Sequence, residues 1–139
     1  MPKNNVDYSR TVIYKIQHIE KENLVYVGQT TNFNKRKHAH KRMAQCDHPT
    51  WKDCNTRIYK IIRENGGWDM FKMIQIKEFP CNSRREAEAE EFKMMQELRA
   101  VMNRMPSFSG LNDEEQLIKL GDWNKLIKDF DDEVKSNYF

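Results

Sequence analysis

Arg36 and His40 stand four residues apart in a basic run that follows a short apolar segment ending at Gly28. On a helix, that spacing puts both side chains on one face, one turn apart. Arginine grips a phosphate with a two-pronged hydrogen-bond fork, and histidine exchanges a proton near neutral pH. The pair suits the handling of a phosphodiester; a solvated basic helix face is the alternative. Much later, Glu91 falls within a stripe formed by Ala87, Met94, Met95, Leu98, Val101 and Met102 on one helical face. A carboxylate on the core side of a helix is unfavourable unless it is paired or binds a cation. It reads either as half of a salt bridge to a nearby Arg or Lys, or as a ligand for a hard divalent cation. Tyr14 and Tyr26 each lie in a β-branched, apolar run. In a hairpin of suitable register they meet on one face; ordinary strand aromatics are the plainer reading. Cys46, His48 and Cys54, with His40 or Cys81, offer zinc-ligand side chains, but their spacing is not that of a zinc finger. A structural role for His40 there would exclude it from catalysis.

The elements that must position these groups follow from patterning. Residues 11–19 and 24–29 read as strands joined by a polar turn at 20–23, a hairpin. Asn32 is placed to cap a helix over 33–45, and residues 46–54 read as a loop. Asn55 or Thr56 starts a second helix, with Ile58, Ile61 and Ile62 at helical spacing, stopped by Gly66-Gly67. Met70–Ile76 reads as a third strand ending near Pro80. Ser83-Arg84-Arg85-Glu86 has the form of a capping box and opens a helix to about residue 99. Two short helices are expected near 113–119 and 123–135. His18 and His38 are expected at the surface. The order predicts an α+β domain: a mainly antiparallel three-stranded sheet flanked by helices, with a C-terminal helical tail. The expected division is 1–104 for the domain and 105–139 for an acidic extension that packs on it or dimerises.

Composition narrows the partners. The chain has 139 residues, 38% hydrophobic and 11% aromatic, which is too apolar for disorder and enough for one core. No window approaches the roughly 18 apolar residues of a membrane span. The start, Met1-Pro2-Lys3-Asn4-Asn5, has no apolar leader. An intracellular protein, not secreted, with free thiols is expected. Residues 110–139 hold eight acidic and four basic residues; their net −4, taken from the chain's +3, leaves +7 on residues 1–109. A basic body with an acidic tail points to a polyanionic partner for the body.

These hints fall into one ordered pattern. Val12-Ile13-Tyr14, eleven residues, then Tyr26-Val27-Gly28 resembles the paired motif of the GIY-YIG nuclease superfamily. Gly28-Gln29-Thr30-Thr31 with Phe33, Arg36 and His40 is similar to its G-x-T segment and Arg-x-x-x-His helix. Glu91 with Met95, Leu98 and Asn103 is similar to its E-x-x-x-I-x-x-L segment closing on an Asn. The resemblance covers about residues 11–103. Val12 stands where the family usually has Gly, and Val27 where it has Ile. The Lys often found near the second motif is replaced by Gln29 or Thr30.

The resemblance implies hydrolysis of phosphodiesters, most readily in double-stranded DNA, with one Mg²⁺ (or Mn²⁺) ion per site and Glu91 as its ligand. It implies Tyr14 as general base, with His40 assisting or standing as the alternative base. Tyr26 would position water or phosphate, and Arg36 would stabilise developing negative charge. Lys35, Lys41 and Arg42 would help hold the phosphates, Gly28 would let helix and substrate approach closely, and Asn103 would orient the site. A homing, mobile-element or viral-type endonuclease is the expected role. A restriction or repair nuclease, or a non-catalytic nucleic-acid-binding module of the same fold, is the alternative; a homodimer is compatible with either.

Overall fold

The β-branched and aromatic run Val12–His18 forms strand β1, and Val25–Thr30 forms β2. The computed structural model describes residues 6–46, 56–103 and 123–132. In it the two strands pair antiparallel, with Tyr14 opposite Gly28 and Ile16 opposite Tyr26. Strand β3, Phe71–Glu78, pairs antiparallel with the other side of β1, giving the order β2-β1-β3. The register shifts between Ile13, which faces Lys77, and Tyr14, which faces Gln75. Ile76 is therefore an extra residue, a bulge that bends β3. β3 starts one residue later than the sequence suggested. Gly66 and Gly67 adopt positive φ (100° and 86°), and Trp68–Met70 then makes a 3₁₀ turn before the strand.

Cap chemistry sets the helix starts. Helix α1, Phe33–Gln45, begins where the Asn32 Oδ1 accepts from the Lys35 N–H at 3.1 Å. Helix α2 is Arg57–Glu64, with Thr56 at its N-cap. Helix α3, Arg84–Leu98, begins where the Ser83 Oγ accepts from the Glu86 N–H. The reciprocal bond from Glu86 reaches the N–H of Asn82, one residue before the cap, at 2.6 Å. α3 ends with Arg99 in the left-handed region (φ 49°). Val101 and Met102 therefore do not continue the helical stripe; they are buried in the turn that follows. Helix α4 occupies residues 123–132. The helix expected at 113–119, residues 133–135 and all of the 46–54 loop but Cys46 lie outside the described residues.

Helices cover both faces of the sheet. On one, Tyr14, Ile16, Phe71 and Met73 pack against Ala44 of α1 and Ile58, Tyr59, Ile61 and Ile62 of α2. On the other, Ile13, Val25 and Val27 pack against Phe92, Met94 and Met95 of α3, with Trp123, Leu126 and Ile127 of α4. This is the α+β arrangement the patterning predicted, a wholly antiparallel three-stranded sheet with flanking helices. His18 differs from expectation. It is buried, because the turn after β1 folds over it: its Nδ1 accepts from the N–H groups of Glu20 and Lys21, and its Nε2 donates to the Asn65 carbonyl. His38 is exposed.

β2 is an edge strand, and its outer backbone groups need partners. The turn after α3 provides them. Met102 N–H donates to the Val25 carbonyl. The Asn103 side chain clasps Val27, its Oδ1 accepting from the Val27 N–H and its Nδ2 donating to the Val27 carbonyl, both at 2.9 Å.

Candidate active site

Tyr14 points from β1 toward α1, and its ring crosses the backbone of Gly28. A Cβ added at Gly28 would overlap Tyr14 Cζ and Oη. The sequence suggested that Gly28 lets the next helix and a ligand approach. The structure assigns that space to the Tyr14 ring instead. Tyr26 lies on the same face, diagonal to Tyr14, with ring centroids 6.4 Å apart. Phe33, the first residue of α1, packs edge-on against Tyr14.

α1 separates the two side chains that its spacing had paired. Arg36 is exposed, whereas His40, one turn on, is wholly buried beneath Tyr14. The expectation that both side chains project together is therefore corrected: of the two, Arg36 faces solvent and His40 does not. Tyr14 Oη and His40 Nε2 are 2.7 Å apart. Arg36 Nε donates to the same Tyr14 oxygen in a long bond of 3.4 Å. On the far side of the imidazole, His40 Nδ1 lies 2.9 Å from Tyr59 Oη. Arg36, Tyr14, His40 and Tyr59 thus form one hydrogen-bonded line from solvent to core, with the Tyr26 ring against His40 at 5.6 Å.

The electrostatics follow from burial near the Arg36 guanidinium. Burial raises the Tyr14 phenol above its ordinary pKa, and Tyr26 adds to this while Arg36 opposes it. Burial and then Glu91 push Tyr26 up to about 12. Burial and the charge of Arg36 push His40 down to about 3, so the imidazole is neutral at working pH. Burial, and then Glu88, raise the Glu91 carboxyl to about 7, with Arg36 and Arg84 pulling the other way.

α3 brings that carboxylate to the site from more than fifty residues beyond His40. Glu90 turns away and ion-pairs with Lys77 of β3. Glu91 instead acts on Tyr26 and Tyr14 and feels Arg36. Among the described residues no hydrogen bond or ion pair engages it. No group of three or more His, Cys, Asp or Glu side chains able to hold a metal occurs among the described residues either. A carboxyl raised by burial and by Glu88, with no hydrogen bond or ion pair among the described residues, suits Mg²⁺, which keeps most of its shell as water and phosphate oxygen.

The remaining sequence candidates lie further out. Lys35, Lys41 and Arg42 are exposed on α1 with Arg36. Asn103 does not reach the site; it holds Val27, the residue between Tyr26 and Gly28. Cys46 is disulfide-bonded, against the expectation of free thiols, while Cys81 is free. His48 and Cys54 lie outside the described residues. His40 has both nitrogens engaged by tyrosines, which leaves none for zinc.

Tyr59 was missed by sequence reasoning. It flanks the Ile58, Ile61, Ile62 stripe of α2 and is buried with them. The available signal was a phenol at the edge of an apolar face, since a buried tyrosine hydroxyl takes a hydrogen-bond partner. No helix among the described residues is long and apolar enough to cross a membrane. A family model described as the GIY-YIG catalytic domain matches residues 10–104. No curated protein and no solved structure matches the chain.

Proposed function

The chain belongs to the GIY-YIG family, whose catalytic domains are nucleases, and we propose that it is a metal-dependent endonuclease hydrolysing double-stranded DNA. The observation that carries this reading is the hydrogen-bonded line Arg36–Tyr14–His40–Tyr59, with Glu91, which has no hydrogen bond or ion pair among the described residues, in the field of Arg36. It offers a proton path, a fixed positive charge and a carboxylate within one site.

Phosphodiester hydrolysis needs a water deprotonated as it attacks, a neutraliser for the pentacovalent charge and help for the leaving oxygen. The Tyr14 phenol is held protonated by burial, so it does not act from a standing anion. It acts as a relay: Tyr14 Oη takes a proton from the attacking water while its own proton passes to His40 Nε2. The water oxygen bonds to phosphorus, the bond from phosphorus to the 3′ oxygen breaks, and that oxygen takes a proton from solvent. Arg36 disfavours a proton on His40 in the free protein. A phosphodiester seated on Arg36 offsets that field, so substrate itself raises the basicity of the relay. Arg36 then holds the charge that builds on the non-bridging oxygens. Lys35, Lys41 and Arg42 hold flanking phosphates, and Tyr26 orients the water or phosphate. Glu91 would hold Mg²⁺ or Mn²⁺. When bound, that ion supplies Lewis-acid stabilisation of the leaving oxygen.

Incubation of the protein with supercoiled plasmid and Mg²⁺ or Mn²⁺ tests this. Nicking or linearisation is expected, abolished by chelation. Arg36→Ala, Tyr14→Phe and Glu91→Gln are each expected to lower the rate by about 10²-fold or more. Absence of cleavage with either ion, or wild-type rates from Arg36→Ala and Glu91→Gln, would overturn the reading. DNA retention without cleavage would instead support a binding module.

A further inference from the structure

The line through His40 has a direction, and donor–acceptor accounting supplies it. His40 is neutral, so one ring nitrogen carries a proton and the other accepts. Both neighbours are hydroxyls, which can donate or accept, so His40 and Tyr59 alone leave two arrangements open. Arg36 breaks the tie. Its Nε–H can only donate, and it donates to Tyr14 Oη. The Tyr14 proton must therefore go elsewhere. Tyr14 is only 1% exposed, and the acceptor beside its oxygen is His40 Nε2 at 2.7 Å. If Nε2 accepts, the imidazole proton is on Nδ1, and it points at Tyr59 Oη, 2.9 Å away.

We propose that Tyr59 is a positioning residue. Its hydroxyl accepts the Nδ1 proton of His40 and so holds the tautomer in which Nε2 is open to Tyr14. Tyr59 reaches this position because α2 packs its apolar stripe on the same sheet face that α1 covers. It is itself buried beside His40, so its effect on the reaction passes through the imidazole. When Nε2 receives the Tyr14 proton, the ring becomes an imidazolium whose Nδ1–H already has an acceptor in place. The arrangement thus stabilises the state the relay must pass through. The catalytic consequence rests on the nuclease reading above, whereas the tautomer does not.

Two measurements separate these. Long-range ¹H–¹⁵N correlation spectra of His40 in the unaltered protein are expected to show a protonated Nδ1 and an unprotonated Nε2. In Tyr59→Phe, which keeps the ring and removes the acceptor, the proton is expected to redistribute toward Nε2. Plasmid cleavage by that variant is expected to fall roughly ten- to hundred-fold in kcat with KM for DNA unchanged. A proton found on Nε2 in the unaltered protein overturns the proposal without any variant having to fold. So does a Tyr59→Phe protein that cleaves at the wild-type rate with an unchanged His40 spectrum. If the unaltered protein cleaves nothing, the nuclease reading fails, and the spectrum alone decides the tautomer.

Discussion

Gly28 and Tyr14 occupy one volume between them. The phenol fills the space in which any other residue at 28 would place its Cβ. Gly28→Ala is expected to push the ring off its position, breaking the bond to His40 Nε2. A fall in kcat of about 10²-fold or more should accompany a stability loss of about 1–3 kcal/mol. Cleavage assays and urea unfolding read the two effects separately; an Ala variant with wild-type kcat would show that the phenol position does not matter. His40 carries a second consequence. Its pKa is about 3 in the folded state against an ordinary value near 6.5. Below about pH 6.5 the unfolded chain takes up a proton that the folded one refuses. Stability from this group is therefore fully present above about 6.5 and is lost as pH falls through the window toward 3, with a slope approaching about 1.4 kcal/mol per pH unit. Urea unfolding at several pH values should show a shallower acid limb for His40→Gln than for the unaltered protein. Parallel limbs would refute the depressed pKa.

At the scale of elements, the site depends on an edge strand being held straight. β2 carries Tyr26 and Gly28, and its free edge is covered by two residues of the turn after α3. That turn exists because Arg99 leaves the helix in the left-handed region. Asn103→Ala would strand both backbone groups of Val27 in a buried place. The expected cost is about 2–4 kcal/mol in urea unfolding, with lower cleavage through displaced Tyr26 and Gly28. Asn103→Asp keeps the acceptor for the Val27 N–H but sets a carboxylate oxygen against the Val27 carbonyl. It is expected to be at least as destabilising as Ala. If Asp were tolerated like the native residue, the amide donor would have no role. Asn32 and Ser83 were legible as caps because they act on backbone groups within a few residues. Asn103 was not legible as a clasp, because its partner lies 76 residues away.

Across the whole molecule, Arg57 ties three separate segments. Its Nε donates to the Val101 carbonyl in the turn after α3, and its Nη atoms pair with Asp131 of α4 at 3.0 and 3.3 Å. Its guanidinium also lies over the Phe130 ring. The arginine side chain is 18% exposed and the aspartate 43%. The exposed half of the pair should therefore contribute little, and the carbonyl and ring contacts more. Arg57→Ala is expected to cost about 1–3 kcal/mol, and Asp131→Ala under about 1 kcal/mol. Equal losses in urea unfolding would show that the ion pair carries the whole effect. Through this residue α4, part of an acidic segment, is tied to α2 and to the turn after α3. Lys35, Lys41 and Arg42 are left exposed on α1.

Among the described residues, the order of strands and helices and the Asn32 and Ser83 caps could be read from the chain alone, as could the candidate set Tyr14, Tyr26, Arg36, His40 and Glu91. Each rests on a short-range rule: alternation, helical spacing, cap chemistry or an ordered motif. Packing settled what no local rule reaches. Register put Tyr14 rather than a ligand over Gly28. The seating of α1 on the sheet buried His40 and left Arg36 in solvent. The docking of α2 supplied Tyr59, and the rotation of α3 gave Glu90 to Lys77 while turning Glu91 to the tyrosines. These outcomes depend on which side chains meet across segments distant in sequence. That is decided when the helices close on the two faces of the sheet, and not by any one segment's own preferences.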